Sequence, residues 1–462
     1  MKTHHHILTA AVAFTMSWVG VAHSESNADS KYLTHALEAE QFIASQIIEG
    51  DKGVYWRVAP EAEAKPNYNF YHGSGGVALF YLELHAATSE QKYLDLAVSA
   101  GNEIVANTAD ADGGRISIYS GLPGDVFVLN ELFKATKDDR FRGAALHVIH
   151  HIKKQAKPIG NGVGWIEKNP FAAYNAANTN IGEMYDLTIG SAGVGVMFLY
   201  AYRDKLDPDG VDWSIRIADR LLEVAEKTDD GLRWPMMGNL PAPYIMPNFS
   251  HGPAGIAYFF ADLYKETKQQ KYLDAAISAA EYVKSRAVPK GDGILVTHHE
   301  RPEPADLYYL SSCHGPPGTG RLMFILNQIT GDDAWLEWID LNMKGMLSTG
   351  APEKRSEGLW NNHGQCCGDA GLGDYAVYLY RATGKESYLN IANRIAQYLV
   401  SDANKKDGTL SWTTAEMRIK PEFTQTQTGY MQGAAGMGSF FLHLATVKNN
   451  PVKIPILATP FE

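Results

Sequence analysis

Ser312-Cys313-His314-Gly315-Pro316-Pro317-Gly318 and Gln365-Cys366-Cys367-Gly368-Asp369-Ala370-Gly371 decide how the chain is read. Between them they hold all three cysteines of the 462-residue sequence. In both, cysteine falls within the two places before the first glycine of a Gly-x-x-Gly. If the two segments lie side by side, three thiolates converge on one point. That donor set suits a soft divalent metal, zinc first.

The same frame recurs along the chain. It reads His72-Gly73-Ser74-Gly75-Gly76, Ser120-Gly121-Leu122-Pro123-Gly124, Ile189-Gly190-Ser191-Ala192-Gly193 and His251-Gly252-Pro253-Ala254-Gly255. The two cysteine copies follow, and Gln432-Gly433-Ala434-Ala435-Gly436 closes the series. A single Gly-x-x-Gly carries no information. A run of seven at roughly 50–70-residue intervals, each followed by an apolar segment, marks a repeat architecture.

Helical segments alternate with these copies. Gln270 to Val283 has apolar residues at i, i+3, i+4 and i+7 with charge opposite, and Gln91–Ile104 and Glu386–Leu399 repeat the pattern. Such one-sided helices have a wet face and belong outside. The segments after each Gly-x-x-Gly, such as Val194-Gly195-Val196-Met197-Phe198-Leu199-Tyr200, are apolar nearly all round and belong inside. The pattern predicts seven hairpins, each an outer helix followed by an inner one, closed in a ring: an all-α (α/α)7 toroid. Short strand-like connectors carrying Trp56, Trp165, Trp234 and Trp412 link the helices.

The formal net charge of -11, with no long basic run, argues against nucleic acid and anionic membranes as partners. Lys2 and the apolar run from Ile7 to Val21, ending in Ala22-His23-Ser24, read as a secretory signal peptide. Residues 1–24 are then a leader, 25–449 the toroid and 450–462 a tail. The apolar core is short for a membrane anchor. The mature protein is expected outside the cytosol, in the periplasm or beyond, as a monomer. Three cysteines cannot all pair as disulfides, and a metal holding them would shield them from oxidation.

The residues before each first glycine sit at inner-helix N-termini near the barrel axis, where the helix dipole favours thiolate. Copies five and six are consecutive and should be neighbours in the ring. Cys313, Cys366 and Cys367 then supply three ligands and leave a fourth position open, the pattern of a catalytic zinc.

The sevenfold frame, Cys-His-Gly, Cys-Cys-Gly-Asp-Ala-Gly and Ser250-His251-Gly252-Pro253-Ala254-Gly255 resemble the lanthionine synthetase C-like family, over roughly Lys31 to Lys448. The resemblance implies zinc-dependent addition of a thiol to a dehydroamino acid, forming a thioether; in the wider family glutathione can be the thiol. It implies metal ligation by Cys313, Cys366 and Cys367, where the third ligand is commonly histidine. It implies an acid/base role for His251, with Asp186 beside it. The family often has arginine where this chain has Tyr309. His314 and His363 could assist or simply satisfy hydrogen bonds, and His72 reads as structural.

Two other readings compete. A carbohydrate-active enzyme on a similar toroid would use the connector tryptophans, with Trp360, to stack on sugars and paired carboxylates for chemistry. A non-catalytic zinc and thiol binder would capture glutathione or peptides.

Overall fold

The computed structural model describes residues 19–108, 115–168, 181–238, 245–300, 306–355 and 357–453. Most of the leader read at residues 1–24 lies outside them, as do Pro455 and Pro460 of the tail. Among the described residues no helix is long and apolar enough to cross a membrane.

Seven inner helices follow the seven glycine frames: α2 (Ser74–Thr88), α4 (Leu122–Thr136), α6 (Ser191–Arg203), α8 (Pro253–Thr267), α10 (Pro316–Thr330), α12 (Asp369–Thr383) and α14 (Ala434–Thr446). Each packs on the next, and α14 packs back on α2, so the inner ring closes. Its helices are buried all round; every residue of α14 from Ala434 to Ala445 is buried. Seven outer helices cover them: α1 (Val19–Ala44), α3 (Gln91–Thr108), α5 (Asp139–Gln155), α7 (Gly210–Glu223), α9 (Gln270–Ser285), α11 (Ala334–Ser348) and α13 (Glu386–Asp402). The expected toroid is therefore the observed one.

The order within each hairpin differs from the expectation. The tight antiparallel pairs run from an inner helix to the following outer one, and the first outer helix, α1, pairs with the last inner helix, α14. Tyr32 of α1 stacks on Phe441 of α14 at 6.4 Å between ring centroids. The ring is thus closed by joining its two chain ends.

A threonine fixes most of these tight turns. Thr88, Thr136, Thr267, Thr330 and Thr383 each donate a hydroxyl hydrogen bond to the carbonyl four residues back. Each also accepts the backbone N–H two residues on, at Glu90, Asp138, Gln269, Asp332 and Lys385. Local bonding of this kind ends one helix and sets up the next.

The long connections run from each outer helix to the next inner one, through small two-stranded sheets. Four of their tryptophans are core residues, and Trp360 is half-buried. The indoles of Trp165, Trp234 and Trp412 donate to the carbonyls of Ile152, Leu221 and Leu399, each thirteen residues earlier, at the end of the preceding outer helix. Trp56 is buried in the equivalent connection.

The glycine frame has a steric cause. The first glycine of each copy is the N-cap of an inner helix, in extended conformation with φ between -104° and -150°. No side chain caps these helices. Instead the chain just before the glycine folds over the first turn. The N–H groups of Ser74, Leu122, Ser191, Ala254, Asp369 and Ala434 bond to carbonyls seven residues earlier. That satisfies donors a helix start leaves orphaned, but leaves no room for a Cβ. At Gly252 a Cβ would lie 1.6 Å from the Met246 carbonyl oxygen, and at Gly371 2.0 Å from that of Gln365.

Candidate metal centre

The residues two places before each first glycine form a belt around the barrel axis. Thr188 N–H donates to Ser250 O, Ser250 to Cys313, Cys313 to Cys366, Cys366 to Met431, Met431 to Tyr71 and Tyr71 to Tyr119. Ile118, one place early, donates to Thr188 and completes the circle. Cys313 and Cys366 are consecutive members, joined by a backbone hydrogen bond of 3.0 Å. Their side chains and that of Cys367 project to one point.

The Cys313 and Cys367 sulfurs are 3.0 Å apart, and those of Cys367 and Cys366 3.4 Å. All three lie within 4.8 Å of one another, the one group among the described residues able to hold a metal ion through three such side chains. Zn–S bonds of about 2.3 Å in a tetrahedron separate sulfurs by about 3.8 Å. Opening this cluster by under about 1 Å therefore fits the ion. The charge balance fits as well. Burial pushes the Cys313 thiol well above its ordinary range, whereas hydrogen bonds from Cys313 and Cys367 hold Cys366 well below it. Buried thiols in contact resist carrying a negative charge each, and a divalent cation removes that conflict.

On one flank stands His251, directly before the N-cap of α8. Its Nδ1 lies 3.0 Å from Asp186 Oδ2. Asp186 is fully buried, and its Oδ1 accepts the Ile189 N–H at 2.7 Å. The carboxylate thus closes its own turn before α6 and orients the imidazole of the neighbouring copy. One carboxylate holds both the turn and the imidazole.

Between His251 and the sulfurs lies an aromatic cluster. His314 is 5.5 Å from His251, ring centroid to centroid, and 4.3 Å from His298, which is 4.3 Å from Tyr309. Burial, reinforced by charges at His299, Arg418 and His251, lowers His298 to about 3. Burial likewise takes His314 well below its ordinary value. Both rings stay neutral, so the cluster adds polarity without charge. Burial and then the charges of Cys367 and Cys313 raise the Tyr309 phenol, and a hydrogen bond with Arg418 acts the other way. His363 faces elsewhere: its nitrogens bond Asp369 and Asp402, at 3.0 and 2.8 Å, behind the Cys367 turn. It braces the loop that carries two ligands.

The sequence reading missed three residues here. Arg418 and Glu416 come from the α13–α14 connection, outside the repeat frame. Arg418 reaches Tyr309, and its Nε is buried without a hydrogen-bond partner. Glu416 lies on the opposite flank, 3.0 Å from His72 Nε2. A charged pair two residues apart in a turn-rich segment was the available signal, but such pairs are common on surfaces. His298 lies just past a connector hairpin, likewise outside the repeat frame.

A model of the lanthionine synthetase C-like protein family matches residues 65–456. No curated protein sequence matches the chain. Among solved structures it is similar to nisin cyclase, at 15% identity and a TM-score of 0.58, over 95% of each chain. A sugar epimerase from a ruminal bacterium aligns at 10% identity and a TM-score of 0.53, over 91% of this chain and 98% of that one. A D-mannose isomerase aligns at 14% and 0.51, over 90% and 98%. At these identities the likeness shows a shared fold, common to cyclases and sugar enzymes alike. The family model covers well over half of the sequence and includes both cysteine frames, and the chain belongs to the lanthionine synthetase C-like family.

Proposed function

We propose that the protein is a zinc-dependent thiol-addition enzyme that joins a thiol to a dehydroalanine or dehydrobutyrine residue as a thioether. The observation that carries this reading is the convergence of Cys313, Cys366 and Cys367 beside the His251–Asp186 pair. The three cysteines would hold the ion. Zinc, when bound, supplies a Lewis acid that lowers the pKa of an incoming thiol.

The remaining work belongs to side chains. Asp186 fixes His251 with Nδ1 towards the carboxylate, so Nε2 is the nitrogen that exchanges a proton with substrate. As a thiolate adds to the β-carbon, charge develops on the acceptor's amide oxygen, and His251 delivers the proton that the α-carbon takes up. Arg418, at Tyr309, is a cation placed for the developing oxyanion. It arrives from a different connection than the family arginine that Tyr309 replaces. Buried His298 and His314 keep the surroundings dry and neutral.

The export reading enters here as well. A leader over residues 1–24 places the enzyme outside the cytosol, where zinc protects three otherwise oxidisable thiols. The sugar reading draws on the fold and on half-buried Trp360, because Trp56, Trp165, Trp234 and Trp412 are packed into the core.

Two measurements test the proposal. Metal analysis should find about one zinc per chain, lost in Cys366→Ala. The zinc-loaded protein should accelerate addition of simple thiols to dehydroalanine peptides. Undiminished zinc in the variant would remove the metal assignment. Zinc without any acceleration would leave a thiol binder.

A further inference from the structure

The sulfur cluster has a second flank, formed by copy seven and copy one of the repeat. Tyr71 of copy one holds its hydroxyl against Cys366, and the Gln432 side chain of copy seven donates to the same hydroxyl at 2.8 Å. His72 follows Tyr71, its ring 4.4 Å from the tyrosine ring. In the frame, His72 occupies the place that His251 holds in copy four: directly before the N-cap glycine of an inner helix. Like His251 it is paired with a carboxylate from another part of the ring, Glu416, at 3.0 Å. Gln427 donates to the other oxygen of Glu416 at 3.1 Å.

The two pairs differ in one respect that bears on chemistry. Asp186 is sealed, with no exposure, whereas 31% of the Glu416 side chain and 28% of that of His72 reach solvent. A sealed carboxylate orients its histidine. An open carboxylate–imidazole pair connects what lies beside it to water. The chain places Glu416 beside the ligand turn: the carbonyl of its neighbour Ala415 accepts the Asn362 side-chain amide at 3.1 Å, and the Asn362 N–H donates to the Cys367 carbonyl at 3.0 Å.

Thiol addition requires two proton movements: one leaves sulfur and one arrives at the α-carbon. We propose that Glu416 and His72 form the exit for the first, taking the proton of the incoming thiol and passing it to solvent, while His251 supplies the second. This inference rests on the thiol-addition reading. The S–H bond breaks as Glu416 accepts the proton. His72, whose Nε2–H donates to the carboxylate, holds it in place to receive the proton, and Glu416 then gives that proton up to water at its own exposed edge. The sulfur keeps the bonding electron pair and uses it to form the C–S bond. The α-carbon gains the proton His251 gives up, and water restores His251. No redox partner is involved.

The test separates thiol capture from addition. In cobalt-substituted protein, thiolate capture is followed by stopped-flow absorbance of the sulfur-to-cobalt charge-transfer band, with no acceptor present. Two neutral thiols are compared: 2-mercaptoethanol, which needs a base at pH 7, and the more acidic trifluoroethanethiol. Glu416→Gln and His72→Gln should each capture 2-mercaptoethanol at least about tenfold more slowly than the unmodified protein, in keeping with the loss of general-base help. Both should capture trifluoroethanethiol within about twofold of it, because little base catalysis remains to lose. His251→Gln should capture both thiols normally and fail only in addition. Equal slowing for the two thiols, unchanged capture of 2-mercaptoethanol, or loss of cobalt from either glutamine variant would each overturn the proposal and make the pair a structural strut. Because no acceptor is used, these outcomes stand apart from whether thioether formation occurs at all.

Discussion

Asp186→Asn probes the catalytic reading at one atom. The wild-type carboxylate accepts two hydrogen bonds, from the Ile189 amide at 2.7 Å and from His251 Nδ1 at 3.0 Å. Asparagine has the same shape, and its oxygen can keep the Ile189 bond, which holds the turn before α6. Its amide nitrogen then faces Nδ1 as a donor. A donor facing a donor forces the imidazole to keep its proton on Nε2 and to accept at Nδ1. In that tautomer Nε2 cannot give up its proton and leave a stable neutral ring. The charge-assisted bond lost is worth up to about 3 kcal/mol, which corresponds to about 10²-fold in rate. Because Asp186 is fully buried, water cannot substitute. Thioether formation on a dehydroalanine peptide, followed by mass spectrometry under saturating thiol, should therefore fall by about 10² in kcat. Zinc content should be unchanged and the unfolding free energy lower by only about 1 kcal/mol. A variant that keeps its zinc and reacts within threefold of wild type would refute the role of the pair. A variant that unfolds would show that Asp186 acts chiefly by holding the turn before α6.

Arg418→Ala should slow addition by about 10²-fold, the usual cost of removing an oxyanion donor, with zinc retained; the same assay reads it, and an unaffected rate would leave Arg418 as a surface cation. Trp234→Phe removes the indole bond to Leu221 and part of a fully buried side chain. It should cost about 2–3 kcal/mol in urea unfolding without altering thiol chemistry, whereas a sugar-stacking tryptophan would show the reverse. His443 lies between Asp374 and Glu83 in the barrel interior, at 2.8 and 2.6 Å. Burial lowers its basicity, but the two carboxylates outweigh burial and raise it to about 10. A histidine raised by folding contributes stability that is complete below its unfolded value of about 6.5 and lost as pH rises through the folded one. The urea midpoint should thus fall between about pH 7 and pH 10, and that fall should disappear in His443→Gln; a flat profile for the wild type would mean that His443 is uncharged.

Some of this was legible because one backbone constraint is repeated seven times. The chain folds over the first turn of each inner helix, in six of the seven its carbonyls bond the helix N–H groups seven residues on, and only glycine fits beneath. That steric rule writes Gly-x-x-Gly into the sequence and fixes the spacing from which the ring and the cysteine cluster follow. The hairpin order was misread although its signal was present. Ala87-Thr88-Ser89-Glu90, Ala135-Thr136-Lys137-Asp138 and Ala382-Thr383-Gly384-Lys385 mark the tight inner-to-outer turns, each with threonine bonded back into the helix and its successor at positive φ. Spacing between glycines alone could not say which of the two links in a repeat is short.

Glu416 and Arg418 were illegible for a different reason. Positions on the frame are held by the backbone belt, so a residue's place in one copy predicts its neighbours in the next. The connections vary in length and strand content, and where their side chains arrive depends on contacts such as the Asn362 bond to the Ala415 carbonyl. The metal centre, and His251 with it, is therefore encoded by register, and the charges that surround the sulfurs are encoded by loops. His72 joins the two: its position is given by the frame, but its partner is not. Read alone it looked structural; beside Glu416, 344 residues away, it becomes one half of a proton path.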